Sequence, residues 1–253
     1  MILAIVQARM ASTRLPGKVM KEVLNKPLIQ YLLERLSLST RIDKIILATS
    51  LNKENDLLSA FVDKLGFNVF RGSENDVLDR FYLAAKEYCP KSIVRVTGDC
   101  PLIDAGICDD LINFYEKENA DHAHLSLDFA EGLDCEIFSF SALEMSCQNA
   151  KLKSEREHVT PYIKNHPEIF KLKFLNNKRD DSFYRITVDN EEDFDVVKAI
   201  MEHFSKNPAV RWPEIKDFLN LHHDIMAINS HIERNEGFRI SLEQDEEVEK
   251  YDA

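Results

Sequence analysis

MILAIVQARMASTRLPGK, residues 1–18, decides the fold. Six apolar residues run on without a charge, then give way at once to Gln7 and Arg9. A short run that is apolar on both faces reads as a strand buried between two layers, as in a parallel sheet. It is too short for the core of a signal peptide. The segment behind it is polar and basic and bends at Pro16–Gly17. It therefore reads as a loop at the carboxyl end of that strand, where open α/β sheets place their ligands.

Downstream, the strand–helix rhythm repeats. After strand 2–6, residues 27–36 have helical spacing (Leu28, Tyr31, Leu32, Leu36), and 44–49 (KIILAT) are β-rich. A helix is expected over 54–65, ended by Gly66, then a strand over 67–70. A helix over 76–88 follows, with Val77, Phe81 and Ala84 on one face. SIVRVT (92–97) is a strand and 105–118 a helix. Four rounds of β then α imply an α/β protein with a mostly parallel sheet covered on both faces. After Ala120 the rhythm changes to strands at 121–127, 134–140, 170–175 and 183–188. Helices are expected at 141–148, 155–165, 191–204 and 212–235. This reads as a small α+β lobe finishing one domain, 1–239: a half over 1–120, a lobe over 121–211 and C-terminal helices over 212–239, with Trp212 packing one of them. Residues 240–253 form a tail of net charge −5, expected to be solvated.

Composition narrows the function. The 253 residues are 44% hydrophobic, enough for a substantial core, and carry net charge −12. A protein that binds nucleic acid by neutralising phosphates shows the opposite sign. No apolar run approaches the length of a membrane span. Five cysteines, odd in number and without a CxxC pair, suit a reduced cytoplasmic protein. The seven glycines give neither GxGxxG nor GxxxxGK, so the Rossmann fingerprint and the P-loop are absent. HExxH is absent too, and the pairs His122/His124 and His222/His223 lack ligand partners at useful spacing.

Three stretches carry the chemistry. Residues 1–26 hold Arg9, Arg14, Lys18, Lys21 and Lys26 against Glu22 alone, so the other 227 residues carry −16. A cationic loop in an acidic chain suggests a polyanion seat, with guanidinium forks and an ammonium for phosphate oxygens and donors at Ser12 and Thr13. The plain alternative is a solvated loop. VTGDCPLID (96–104) puts Asp99 just past a strand end, beside Gly98. Such a carboxylate suits magnesium, and equally suits a turn aspartate bonded to its own backbone. RITVDNEEDFDVV (185–197) puts Asp189 before a helix start. There it can cap the helix, or serve as a second carboxylate for the same metal.

IVQARMASTRLPGK, RGSENDVLDRF, TGDCPLID, EGLDCEIF, SEREHVTPYI and TVDNEEDF occur in that order. Together they closely resemble the spore coat polysaccharide biosynthesis protein F family, within the cytidylyltransferase group of 3-deoxy-manno-octulosonate and acylneuraminate cytidylyltransferases. The resemblance runs from Met1 to about Leu242. It implies the nucleotide-diphospho-sugar transferase fold, a Rossmann-like three-layer α/β/α sandwich with a mixed sheet. It implies nucleotidyl transfer from CTP, with Mg2+, to a sugar acid or a sugar or polyol phosphate, with pyrophosphate released. It also implies a homodimer formed through the second lobe. The first-loop positions matching the family's nucleotide contacts are Arg9, Ser12, Arg14 and Lys18, beside Ala8. Of these, Arg9, Arg14 and Lys18 are the catalytic candidates. The magnesium aspartates correspond to Asp99 and Asp189. One departure is Ala11, where the closer family commonly has glycine. RGSENDVLDR differs from the sugar-acid enzymes, so its Arg71, Ser73, Asp79 and Arg80 are base-pocket candidates by position only. The alternative for them is helix capping by Ser73, Asn75 or Asp76 plus a surface ion pair.

Acceptor candidates lie in the second lobe: Glu131, Asp134 and Glu136 for sugar hydroxyls, Arg156 and His158 for a phosphate or carboxylate. A buried structural hydrogen bond suits His158 equally well. Two other classes remain open: a catalytically silent nucleotide-sugar binding module, and a nucleotidyltransferase using GTP or another triphosphate. A glycosyltransferase needs a DxD metal motif, and DFD (193–195), which has that spacing, falls inside an expected helix.

Overall fold

The computed structural model describes residues 1–234, 239, 242–243 and 245–248. Its strands are β1 (Ile2–Gln7), β2 (Glu22–Val23), β3 (Lys26–Pro27), β4 (Lys44–Ser50), β5 (Asn68–Gly72), β6 (Ser92–Thr97), β7 (His122–Leu125), β8 (Cys135–Ser139) and β9 (Leu172–Leu175). Its helices are α1 (Leu28–Leu36), α2 (Asp56–Lys64), α3 (Val77–Lys86), α4 (Ala105–Glu118), α5 (Phe140–Asn149), α6 (Lys153–His158), α7 (Pro161–Asn165), α8 (Glu191–His203), α9 (Trp212–Leu221) and α10 (His223–Ala227). The two-residue strands β2 and β3 pair only with each other.

Seven strands form one mixed sheet in the order β5-β4-β1-β6-β8-β7-β9. The first four run parallel, and β8 reverses against both β6 and β7. The alternation along β1 splits the core in two. Ile2, Ala4 and Val6 face one layer, with α1, α4, α8 and α9 packed over it. Leu3 and Ile5 face the other, beneath α3 and α5. The result is a three-layer sandwich. β1 lies between β4 and β6, so the chain leaves it toward opposite sides. This is the switch point at whose carboxyl end such sheets hold ligands.

Four expectations change. Residues 183–188 join no ladder: a single parallel bridge, Glu131↔Arg185, ties them to the loop before β8. The helix over 155–165 is two, broken where Val159 adopts φ 73° and Pro161 restarts the turn. The helix over 212–235 stops at 227. The acidic tail falls partly outside the described residues. Within them, Asp245 accepts from the Ser154 amide at 3.0 Å and from its hydroxyl at 2.6 Å, so this stretch is docked rather than solvated. No helix among the described residues is long and apolar enough to cross a membrane.

Candidate active site

The loop after β1 is folded by its own backbone before any ligand arrives. The Ser12 and Gly17 amides both donate to the Met10 carbonyl, at 3.0 and 2.9 Å, and Leu15 donates to Ser12 Oγ at 3.3 Å. Asn55, fully buried at the head of α2, accepts from the Met10 amide at 2.8 Å and anchors the loop. Lys18 then opens a short 3-10 turn over Lys18–Met20 and points inward, its side chain only 12% exposed.

Lys18 Nζ donates to Asp189 Oδ1 at 2.7 Å and to Asp99 Oδ2 at 3.4 Å. Arg14 adds a second cation to Asp189 Oδ1 at 3.0 Å. Residues separated by 171 positions thus meet at one point. Backbone stitching explains how: Val188 N–H and Thr187 Oγ1 both donate to the Asp99 carbonyl, at 2.8 and 3.1 Å. Burial alone would lower the Lys18 ammonium, but Asp99 and Asp189 outweigh it and raise it. Burial would raise the Asp189 carboxyl, yet Lys18 and Arg14 hold it below the ordinary aspartate range.

Gly98 lets this loop close on β1. Its amide donates to the Gln7 carbonyl at 2.7 Å, and a Cβ there would lie 2.6 Å from the Ala8 Cβ. We expect Gly98→Ala to cost ~1–3 kcal/mol of stability, the range for overpacking, and to lower turnover by shifting Asp99. Urea midpoints and steady-state rates measure the two effects. An unchanged midpoint contradicts the close approach.

Beside the two carboxylates opens a cavity of about 410 Å³, reached by Arg14, Asp99 and Asp189 at one end. Arg185 organises the floor. It donates to both oxygens of the fully buried Asp193, at 2.7 and 2.9 Å, to Asp189 Oδ2 at 3.4 Å, and to Glu131. Asp193 in turn accepts from the Asp189 and Asn190 amides at 2.9 and 3.0 Å, which fixes Asp189 at the mouth of α8. Asp134 pairs with Arg234 at 3.0 Å. Glu131, Asp134, Glu136 and His158 all line the cavity. Burial lowers the His158 imidazole below its ordinary value.

The sequence model of the family described as cytidylyltransferase matches residues 3–233. The chain belongs to the cytidylyltransferase family. Among its relatives, the spore coat polysaccharide biosynthesis protein SpsF of Bacillus subtilis is 36% identical, over 88% of this chain and 95% of that one. An uncharacterised protein of Methanocaldococcus jannaschii is 41% identical, over 94% and 98%. A cytidylyltransferase structure from Leptospira borgpetersenii superposes with TM-score 0.84 at 35% identity, over 89% of this chain and 96% of that one. A CMP-2-keto-3-deoxy-manno-octonic acid synthetase complexed with CTP shares the fold at TM-score 0.60 and 14% identity, over 80% and 98%. This cytidylyltransferase is thus a nucleotidyltransferase.

The remaining sequence candidates divide. Ala8 is buried and Ser12 serves the loop's own turn. Arg9, at the loop's outer side, pairs with Glu74. The four RGSENDVLDR candidates each meet protein partners. Ser73 Oγ accepts from the Asp76 amide at 3.0 Å and Asp76 caps α3, the capping alternative. Arg80 is buried against Gly72 and donates to the Ser73 carbonyl. Arg71 pairs with Asp56 at 2.7 Å. Asp79 lies near Cys147 Sγ, 3.7 Å away, on the α5 side. Arg156, the remaining acceptor candidate, lies away from the cavity. It is buried, outside the cavity lining, and spent on Asp76 and the Cys147 carbonyl. The basic cavity residues missed from sequence are Arg95, Lys164, Arg185 and Arg234.

Proposed function

We propose that this enzyme transfers a cytidylyl group from CTP to an acidic or phosphorylated sugar-like acceptor, releasing pyrophosphate, for surface polysaccharide or glycoconjugate synthesis. One observation carries this reading: Lys18 Nζ sits between Asp99 and Asp189 at the end of a cavity large enough for a small acceptor. The names of the relatives support it, one a spore coat polysaccharide protein and others 3-deoxy-manno-octulosonate cytidylyltransferases. All five cysteines are free thiols, which suits a reducing, cytoplasmic setting. Pairing of two copies through the second lobe belongs to the same reading.

The acceptor oxygen attacks the α-phosphorus in line. Its bond to phosphorus forms as the bridge to the β-phosphate breaks, and the bonding pair leaves with pyrophosphate. Positioning and charge neutralisation do most of the work. Lys18 and Arg14 exchange carboxylate partners for β- and γ-phosphate oxygens, and Arg9 steadies the outer side of the loop. The residues present fit magnesium. Asp99 and Asp189 offer hard oxygens already gathered about one cation, and a magnesium site needs only one or two carboxylates besides phosphates and water. Asp99 and Asp189 would hold the ion, which when bound neutralises phosphate charge and lowers an acceptor hydroxyl's pKa.

A pyrophosphate-release assay with CTP, GTP, UTP and ATP, across sugar acids and sugar phosphates, tests this. The expected result is release with CTP and an anionic acceptor. Release confined to GTP moves the base specificity. No release from folded protein with any pair, magnesium present, favours a silent binding module.

A further inference from the structure

The end of the cavity remote from Lys18 carries more positive charge than its carboxylate cancels. Arg95 of β6 lies opposite Glu136 of β8 in the ladder and donates to Glu136 Oε1 at 2.7 Å. Glu136 Oε2 takes Lys164 Nζ at 2.8 Å, Thr160 Oγ1 at 2.9 Å and His122 Nε2 at 2.9 Å. Three donors thus crowd Oε2, while Oε1 takes Arg95. Burial would raise the Glu136 carboxyl, but Lys164, His122 and Arg95 outweigh it and hold it well below the usual range. Glu136 is therefore a fixed anion held by its cationic neighbours.

Other cavity carboxylates have their own cations: Glu131 has Arg185, Asp134 has Arg234, Glu233 has Arg239, and Asp99 and Asp189 share Lys18. Around Glu136 the count is two against one. Lys164 is the accessible member, its side chain 39% exposed and lining the cavity, with donors beyond the one Glu136 uses.

We propose that Lys164, backed by Arg95, seats a negative group of the acceptor, a carboxylate or phosphate carried away from its attacking oxygen, with Glu136 as the positioning residue. This rests on the reading of the cavity as the acceptor site. Strand geometry sets the spacing. Arg95 lies two residues before Thr97, the last residue of β6, hence ~7 Å back from the strand end that leads to Asp99. A monosaccharide-sized acceptor bridges such a gap. An anion bonded directly beside the attacking oxygen does not.

The test is calorimetry on the full chain with magnesium and α,β-methylene-CTP filling the nucleotide seat. Inorganic phosphate, gluconate and 6-phosphogluconate are titrated into wild type, Lys164→Gln and Lys164→Arg. We expect at least one anion to bind wild type, with Kd raised at least about tenfold in Lys164→Gln and restored to within about threefold in Lys164→Arg, the scale of one charge-assisted hydrogen bond. The nucleotide Kd stays unchanged. Phosphate against gluconate tells which anion the seat prefers. Binding that Lys164→Gln leaves untouched, or no binding of any anion, overturns the proposal. Failure of the nucleotide analogue to bind strikes cytidylyl transfer instead, and the anion titration against Lys164 still decides this inference.

Discussion

Lys18→Ala lowers kcat/KM by about 30-fold or more, equivalent to ~2 kcal/mol of transition-state stabilisation. The reason is local. Lys18 is the cation that both Asp99 and Asp189 share, held by a loop already braced at Met10 and Asn55. Its charge is in place before the leaving pyrophosphate develops its own, so no reorganisation is needed during reaction. Removing it leaves two carboxylates facing a polyanion, with Arg14 as the nearest remaining cation on Asp189. Pyrophosphate release over a range of nucleotide concentrations, from below KM to saturation, with the melting temperature as a folding control, measures the loss. Near-normal turnover removes Lys18 from the mechanism.

Arg185→Met unfolds at markedly lower urea, with ~3–5 kcal/mol of stability lost, the range for stripping one partner from a buried ion pair. Arg185 is 7% exposed at the side chain, and Asp193, its principal partner, is not exposed at all. Asp193 keeps the Asp189 and Asn190 amides and Asn229, so it remains hydrogen-bonded. Its charge, however, and that of Glu131, lose the Arg185 guanidinium. Because Asp193 also fixes Asp189, activity falls beyond what the folded fraction explains. A loss under about 1 kcal/mol in urea titration contradicts the role of Arg185 as the hub, since that is the scale of an exposed pair.

The first half of the fold was legible because its signals are local. Apolar runs at 2–6, 44–49 and 92–97 mark strands buried on both faces, and the polar loops behind them fix the ligand-bearing edge. The strand expected at 183–188 has the right alternation, but Glu131 and Asp99 satisfy its backbone from distant loops, and such partners leave no trace in a window of ten residues. At 155–165, one continuous helix places Arg156 and Lys164 on the wrong faces. The break before Pro161 turns Arg156 into the core and Lys164 into the cavity. That proline was the available signal, because a residue before proline disfavours helix. Arg95 sits in an apolar strand and gains its meaning only from Glu136, 41 residues on, across an antiparallel ladder. Lys18, Asp99 and Asp189 were legible because each stands in the polar segment that follows a strand-like run, though their convergence needs the contacts of 187–188 with the Asp99 carbonyl.

A crystal structure with CTP and manganese, in place of magnesium, addresses the central claim directly. The account predicts the triphosphate lying between Lys18 and the Asp99–Asp189 pair, with the anomalous manganese peak against both carboxylates. A nucleotide bound elsewhere, with Lys18 still locked to Asp189 and no metal at either aspartate, contradicts it.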